Sequence, residues 1–220
     1  MMREEYYTPE NIDAQAKDFL AEVARYTKRF PIKKNACALL VIDMQKEFVD
    51  RNGDAFVPSS PAIVPRIVRL QKAFFKLGLP VVHTRHINTE EDAGQMARWW
   101  RDLITEDDPF SCIVSDIVDD RAKLIKKSQY DAFWNTELHE YLRDSGVEQV
   151  VITGVMANLC CETTARSAFV RGFEVFFVID GTAGYNREFH LATIVNLCFG
   201  FATPVLVKDV LRGLGVEDEE

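Results

Sequence analysis

Short runs rich in apolar residues alternate along the chain with longer segments in which apolar residues recur every three or four positions. Apolar runs of about four to eight residues are typical of β-strands that are buried in a sheet. The pattern predicts strands at residues 37–43, 79–85, 122–127, 150–153, 173–179 and 203–208.

Segments with helical spacing of apolar residues fill the intervals between these strands and also precede the first one. They predict helices at residues 8–30, 63–77, 136–144 and 189–199, and one more that begins near Cys160. In the first helix, Thr8 suits the N-cap and Pro9 suits the first helical position. Its apolar stripe must be buried against the domain or against another subunit, and it comprises Ile12, Ala16, Phe19, Leu20, Val23 and Phe30.

Strands that alternate with helices are typical of a parallel sheet covered by helices on both faces. We therefore predict an α/β protein with a three-layer αβα fold and a Rossmann-like, mainly parallel sheet. The 220 residues are enough for one sizeable domain of this kind. We assign residues 1–35 to an N-terminal helical extension, 36–213 to the α/β domain and 214–220 to an acidic tail.

Four residues with chemically useful side chains lie at or just after the carboxyl ends of predicted strands: Asp43, Arg85, Lys127 and Cys160. Ligands of open parallel sheets bind outside this edge, so we expect these side chains to converge there. Cys160 also falls where a strand and a glycine turn give way to a helix, and the helix dipole at such a place favours the thiolate. This context makes a cysteine nucleophile as good an interpretation as a cysteine buried in the core.

A thiol nucleophile needs a base to take its proton and a group to hold charge. Asp43 is the candidate base, and it can later return the proton to a leaving nitrogen. Lys127 is the candidate cation, which would favour the thiolate and orient the carboxylate. Taken singly, the two residues have plainer interpretations, as a strand-end aspartate that caps a turn and a solvated lysine.

Composition and charge narrow the choice of partners and of compartment. The formal net charge of −8 argues against nucleic acid or an anionic membrane as the main partner. No apolar run is long enough to span a bilayer, and the N-terminus lacks the apolar core of a secretion signal. The five cysteines show neither a paired framework nor metal-ligand spacing, so we expect a reducing, cytoplasmic setting.

Three sequence motifs follow one another along the chain. They are LLVIDMQKEF at residues 39–48, KSQYDAF at 127–133 and TGVMANLCCETTAR at 153–166. Their order and spacing resemble those of the isochorismatase-like cysteine hydrolases, a superfamily of isochorismatases, nicotinamidases and N-carbamoylsarcosine amidohydrolases. Asp131 stands where the second motif of the family usually has serine. The resemblance covers about residues 36–210.

The resemblance implies a catalytic triad of Asp43, Lys127 and Cys160. It also implies a cis peptide bond between Val155 and Met156, and an oxyanion hole formed by the backbone N–H groups of Met156 and Cys160. The implied reaction is hydrolysis of a C–N bond in a small amide, carbamoyl or ureido compound through a thioester intermediate. No cofactor is expected.

Two features separate the branches of this family. Members that cleave the vinyl ether of isochorismate usually lack the cysteine, so Cys160 favours an amide or ureide substrate. Nicotinamidases carry an Asp-x-His metal motif just after the second strand, and here the matching stretch, residues 85–88, reads RHIN. We therefore expect no metal ion, and this motif argues against nicotinamidase activity.

Some residues are candidates for contact with the substrate. Arg85 suits a bidentate clamp on a substrate carboxylate, although a structural ion pair explains it as well. Phe48, Tyr130 and Phe133 suit the apolar walls of a pocket, or ordinary core. The irregular segment 87–119 has the length of a lid or binding loop.

Two other functions stay open at this point. One is an isochorismatase-type vinyl-ether hydrolase, in which Asp43 does acid catalysis and Cys160 is incidental. The other is a non-catalytic, flavodoxin-like binding module. In each case we expect a small-molecule partner, and the apolar stripe of the first helix is compatible with a homo-oligomer, either a dimer or a tetramer.

Overall fold

Six parallel strands form the central sheet of the computed structural model, which describes residues 2–26, 30–100 and 102–216. The strands are β1 Cys37–Ile42, β2 Val81–His86, β3 Lys123–Lys127, β4 Gln149–Val155, β5 Glu174–Ala183 and β6 Ala202–Val205. Their order across the sheet is β3-β2-β1-β4-β5-β6. The chain therefore adds strands outward from β1 on one side and then, from β4 onward, on the other side. The predicted three-layer α/β fold is confirmed.

Helices connect the strands and cover both faces of the sheet. The helices are α1 Ile12–Val23, α2 Lys46–Val49, α3 Ser60–Lys76, α4 Met96–Trp99, α5 Leu138–Asp144, α6 Glu162–Val170, α7 Arg187–Gly200 and α8 Val207–Leu214. A short 3-10 turn spans Pro109–Ser111, and one turn of π-helix spans Ala157–Cys161. Within the described part of the chain, no helix is both long and apolar enough to cross a membrane.

The first helix is shorter than the predicted helix at residues 8–30. The backbone N–H of Thr8 donates to Oδ1 of Asn11 at 2.8 Å, which closes a turn ahead of the helix and moves its start to Ile12. The apolar stripe packs against β5 and α7 of the same chain, and Phe19 is fully buried there. Phe30 was predicted to belong to this stripe but is exposed, and residues 27–29 lie outside the described residues.

The last predicted strand, residues 203–208, is also wrong at its end. The strand stops at Val205, and α8 begins at Val207. Two carboxylates cause this, because Asp209 accepts the N–H of Leu206 at 3.1 Å and Asp180 accepts the N–H of Val207 at 2.8 Å. An apolar run cannot reveal such caps. Of the predicted tail, residues 217–220 lie outside the described residues.

A buried histidine joins the N-terminal segment to the sheet. Nδ1 of His190 lies 2.9 Å from the hydroxyl of Tyr6, and Nε2 lies 3.0 Å from the hydroxyl of Thr182. The hydroxyl of Thr182 donates to the carbonyl of Val178, so it accepts from Nε2–H, and Nδ1 accepts from Tyr6. Burial lowers the pKa of His190 to about 3, so the imidazole is neutral in the folded protein.

We expect His190 to make the fold sensitive to acid. Its folded pKa lies below the unfolded value of about 6.5, so below that pH the unfolded chain takes up a proton that the folded chain does not. The contribution of His190 to the free energy of unfolding is therefore complete above pH ~6.5. Below that pH it falls by up to about 1.4 kcal/mol per pH unit. Between about pH 7.5 and 5.0, the free energy of unfolding measured with urea should fall less for His190→Gln than for the native protein. An equal loss in both proteins would contradict this account.

Candidate active site

The carboxylate at the site is supplied by the carboxyl end of β1. Asp43 follows this strand with φ at 48°, in the left-handed region, and its side chain is completely buried. The hydroxyl of Thr84 on β2 accepts the backbone N–H of Asp43 at 3.0 Å and donates to Oδ1 at 2.6 Å. Thr84 therefore fixes the orientation of the carboxylate.

The cation at the site is supplied by the last residue of β3. Nζ of Lys127 lies 2.7 Å from Oδ2 of Asp43 and donates to the carbonyl of Gln129 at 2.9 Å and to Sγ of Cys160 at 3.4 Å. Burial alone would lower the pKa of Lys127, but Asp43 and Cys160 outweigh it and raise the pKa above its ordinary value. The lysine thus stays charged between the carboxylate and the thiol.

The two oxygens of Asp43 have different surroundings. Oδ1 accepts from Thr84, whereas Oδ2 is buried and forms no hydrogen bond with the described residues, although it lies in ion-pair contact with Lys127. Buried acceptors are nearly always hydrogen-bonded, and exceptions are frequent at functional sites. Oδ2 therefore faces the ammonium group of Lys127, whereas Oδ1 is held by the hydroxyl of Thr84.

Close approach of two strands brings the thiol to this carboxylate. Gly154 on β4 pairs with Ile42 and has φ at 108°; a Cβ there would lie 2.0 Å from the carbonyl oxygen of Ile42. The next peptide bond, between Val155 and Met156, is cis, and the π-helical turn that carries Cys160 follows. Gly154 had been expected to form a turn after the strand but lies within it.

Burial dominates the acidity of the thiol. Cys160 is 7% exposed, and burial raises its pKa to about 12, with Lys127 opposing the rise and Asp43 adding to it. Cys160 does lie near a helix start, in the π-helical turn that leads directly into α6. The expectation of an easily lost proton is wrong because burial outweighs the effects that lower the pKa of the thiol. The thiol of Cys160 is therefore protonated near neutral pH.

A neutral histidine completes the surroundings of the lysine. Nε2 of His86 lies 2.8 Å from Oδ1 of Asn88, whose amide donates to the carbonyl of Ser128, so Nε2 carries the proton. Nδ1 is then an acceptor and lies 3.4 Å from Nζ of Lys127. Burial, followed by the charge of Lys127, lowers the pKa of His86 to about 4.

These histidine and asparagine residues occupy the stretch that was compared with a metal motif. Across residues 2–26, 30–100 and 102–216, no three His, Cys, Asp or Glu side chains are grouped in a way that could hold a metal ion. The expectation that the protein works without a metal ion stays a prediction.

A cavity of about 110 Å³ opens onto the thiol. Most of its wall is apolar or aromatic, formed by Phe48, Met96, Trp100, Tyr130, Leu159 and Tyr185. The polar side chains of the described wall are Glu47, His86, Asn88 and Asp102. Cys160 and Met156 also line the cavity, so a small molecule in it would meet both.

The structure separates the predicted substrate-binding residues into two groups. Phe48 and Tyr130 line the cavity, while Arg85 and Phe133 lie outside its described lining. Arg85 donates instead to the backbone carbonyl of Ser111 at 2.9 Å, so the proposed clamp on a substrate carboxylate is corrected to a structural role. Phe133 is core, stacked on Phe173 with ring centroids 6.0 Å apart.

Sequence reasoning missed several residues of the site. Thr84 lies within β2, Glu47 within the first motif and Tyr185 just after β5, but none of the three was singled out. The irregular segment 87–119 also contains two adjacent tryptophans, Trp99 and Trp100. Trp99 is exposed, whereas Trp100 donates from Nε1 to the hydroxyl of Tyr130 at 2.8 Å and lines the cavity.

The parallel sheet, with a buried carboxylate, lysine and thiol converging at its carboxyl edge, is the architecture of an α/β enzyme with a three-layer fold. The isochorismatase domain model matches residues 37–209, and the chain belongs to the isochorismatase family.

Similar proteins include amidases. The chain is 41% identical over 192 residues to Nicotinamidase 3 of Arabidopsis thaliana, an alignment that covers 85% of this chain and 92% of that protein. A solved cysteine hydrolase from Pseudomonas syringae pv. phaseolicola 1448A matches with a TM-score of 0.83 and 25% identity, over 86% of this chain and 97% of that one. N-carbamoylsarcosine amidase from Thermoplasma acidophilum matches with a TM-score of 0.70 and 26% identity, over 84% and 99%.

Proposed function

We propose that the protein is a cysteine-dependent amidase that hydrolyses the C–N bond of a small amide, carbamoyl or ureido compound through a thioester. One observation carries the proposal: Nζ of Lys127 bridges Oδ2 of Asp43, at 2.7 Å, and Sγ of Cys160, at 3.4 Å, beside a small cavity. A nucleophile, a base and a cation in contact are the parts that acyl transfer requires.

In the first half of the reaction, Sγ of Cys160 attacks the carbonyl carbon while its proton passes to Asp43. This coupling avoids a free thiolate, which burial disfavours. The oxyanion is held by the backbone N–H groups of Met156 and Cys160, and such donors are worth about 3–4 kcal/mol each in the transition state. Asp43 then gives its proton to the leaving nitrogen, the C–N bond breaks, and an amine or ammonia departs.

In the second half, Asp43 takes a proton from water, and the resulting hydroxide attacks the thioester carbon. The C–S bond breaks, the carboxylic acid leaves, and the proton on Asp43 returns to Sγ of Cys160. Lys127 stays in place throughout and offsets the negative charge that moves between carboxylate and sulfur.

Within this class, the cavity favours a carboxamide without a carboxylate. Among the described lining residues none is lysine or arginine, while Glu47 and Asp102 are acidic. A carboxylate such as those of isochorismate would find no countercharge among these described lining residues, and Arg85 is engaged by Ser111. The relative named nicotinamidase supports the same choice and runs against our earlier argument from the metal motif. Nicotinamide is therefore the first substrate to test.

The proposal includes a cytoplasmic setting and a homo-oligomer. Exposed aromatic side chains support self-association: Phe199 is 75% exposed and, with Phe30 and Phe169, lines a surface groove.

A panel assay tests the proposed activity. We expect ammonia from nicotinamide at a higher kcat/KM than from N-carbamoylsarcosine, and no consumption of isochorismate. Hydroxylamine should trap a hydroxamate during turnover, since it competes with water for the thioester. Consumption of isochorismate without release of ammonia from any amide would instead establish the vinyl-ether hydrolase.

A further inference from the structure

The N-terminal segment, residues 3–7, lies against the outside of the substrate cavity although it precedes the part of the chain that matches the family domain. It contacts two separate stretches of the cavity wall. One contains Ala55 and is followed by α3; the other contains Tyr185 and precedes α7. Both residues line the cavity, so the segment sits behind two of its walls.

Arg3 contacts both stretches at once. Its guanidinium lies over the ring of Tyr185, 4.8 Å from the centroid, and Nη2 donates to the backbone carbonyl of Asp54 at 2.6 Å. The next residue, Ala55, donates its N–H to Oε1 of Glu47 at 2.8 Å. Arg3 therefore links the positions of Tyr185 and Glu47, two side chains that face the substrate.

The residues after Arg3 hold the same stretches through the backbone. The N–H of Glu4 donates to the carbonyl of Tyr185 at 2.7 Å, and its carboxylate accepts the N–H of Arg187 at 3.0 Å. The hydroxyl of Tyr6 accepts the N–H of Gly184 at 2.9 Å.

A single hydroxyl anchors the far end of the segment to the other stretch. Oγ of Ser59 accepts the N–H groups of Tyr6 and Tyr7, each at 3.0 Å. The segment is thus bonded to one wall through Ser59 and to the other through Tyr185, which is the arrangement of a clamp.

We propose that residues 3–7 are a positioning segment of the substrate site and that Arg3 sets the separation of Tyr185 and Glu47. Arg3 does not touch the triad, so it acts on substrate binding and not on bond cleavage. This inference rests on the proposed amidase function, because Tyr185 and Glu47 matter only for a molecule that occupies this cavity.

The test compares Arg3→Met, Arg3→Lys and the control Arg25→Met in the full chain. With nicotinamide as the probe, Arg3→Met should raise KM by about fivefold, the scale of a lost cation–π contact, and leave kcat within about twofold. Arg3→Lys keeps a cation over the ring and should recover at least half of that loss. Arg25 is exposed and lies over the ring of Tyr26, 4.7 Å from the centroid and outside the described cavity lining, so Arg25→Met should behave as the native protein.

A second readout works without turnover. Iodoacetamide is small, whereas 2-chloro-N-phenylacetamide must place its ring in the cavity. The ratio of their rates of alkylation at Cys160 therefore measures how well the cavity walls accommodate an aromatic ring. Mass spectrometry of the Cys160 peptide separates this reaction from that of the exposed Cys112. We expect Arg3→Met to lower the rate of the aromatic reagent relative to iodoacetamide by about fivefold, on the same physical grounds.

The two readouts distinguish failure of the clamp from failure of the amidase function. If the native protein releases no ammonia but the alkylation ratio falls in Arg3→Met, the clamp stands and the proposed function does not. An unchanged KM and an unchanged ratio in Arg3→Met would overturn the clamp. So would a fall in kcat alone that follows a fall in melting temperature, because that is a loss of stability.

Discussion

Cys160→Ala should abolish turnover of every amide substrate, with kcat reduced by at least about 10⁴-fold, the scale seen when a catalytic nucleophile is removed. The sulfur lies at the cavity, in contact with Nζ of Lys127 at 3.4 Å. The described residues that line the cavity include no second cysteine and no serine or threonine that could replace Cys160 as the nucleophile. Ammonia release from nicotinamide measures the loss.

The neighbouring cysteine provides the matched control. Cys161 is fully buried, and its Sγ lies 3.9 Å from the carbonyl of Thr153, away from the cavity. Cys161→Ala removes the same atoms one residue later and should keep kcat within about threefold, while it costs about 1 kcal/mol of stability for the lost packing. If Cys160→Ala keeps its turnover, or if both variants lose it equally, Cys160 is not the nucleophile.

The sequence predicted the convergence of the three candidate side chains because they lie at or after strand ends. Asp43, Lys127 and Cys160 each follow or end a strand, and parallel strands bring their carboxyl ends to one edge. The fold class needed no more than the alternation of apolar runs and helical segments. These features are local in sequence, which is why pattern reasoning reached them.

Contacts between distant residues were beyond that reasoning. Arg85 was a plausible clamp until the fold placed the carbonyl of Ser111, 26 residues later, within 2.9 Å of its Nε. The bond from Trp100 to Tyr130 spans 30 residues, and the start of α8 depends on Asp180, 27 residues before Val207. No periodic pattern encodes such pairs, because each depends on how separate elements pack.

The acidity of Cys160 shows a related limit. A helix start lowers the pKa of a thiol and full burial raises it, and the sequence indicated the first effect without the second. In the folded protein burial prevails and raises the pKa of the thiol, and in the proposed mechanism Asp43 removes its proton. The proposed activation of the thiol therefore depends on the carboxylate and not on the helix dipole.

Asp43→Asn should consequently lower kcat by about 10²–10⁴-fold, the usual contribution of a positioned acid–base group. The amide has nearly the shape of the carboxylate, and its oxygen can still accept from Thr84, but it can take no proton from the thiol. The same change removes the countercharge of buried Lys127 and should reduce the free energy of unfolding by about 3–5 kcal/mol.

A second substitution separates these two effects. Lys127→Met added to Asp43→Asn removes the unpaired buried charge, so the double variant should be more stable than Asp43→Asn alone, as measured by urea unfolding. Its kcat should stay as low, because stability is restored without a base. Recovery of turnover together with stability would mean that the aspartate only keeps the fold intact. Low turnover in a restabilised protein means that loss of folding does not account for the lost rate, which then comes from removal of the two charged groups at the site. The low turnover of Asp43→Asn alone, which keeps Lys127, would then point to the missing carboxylate.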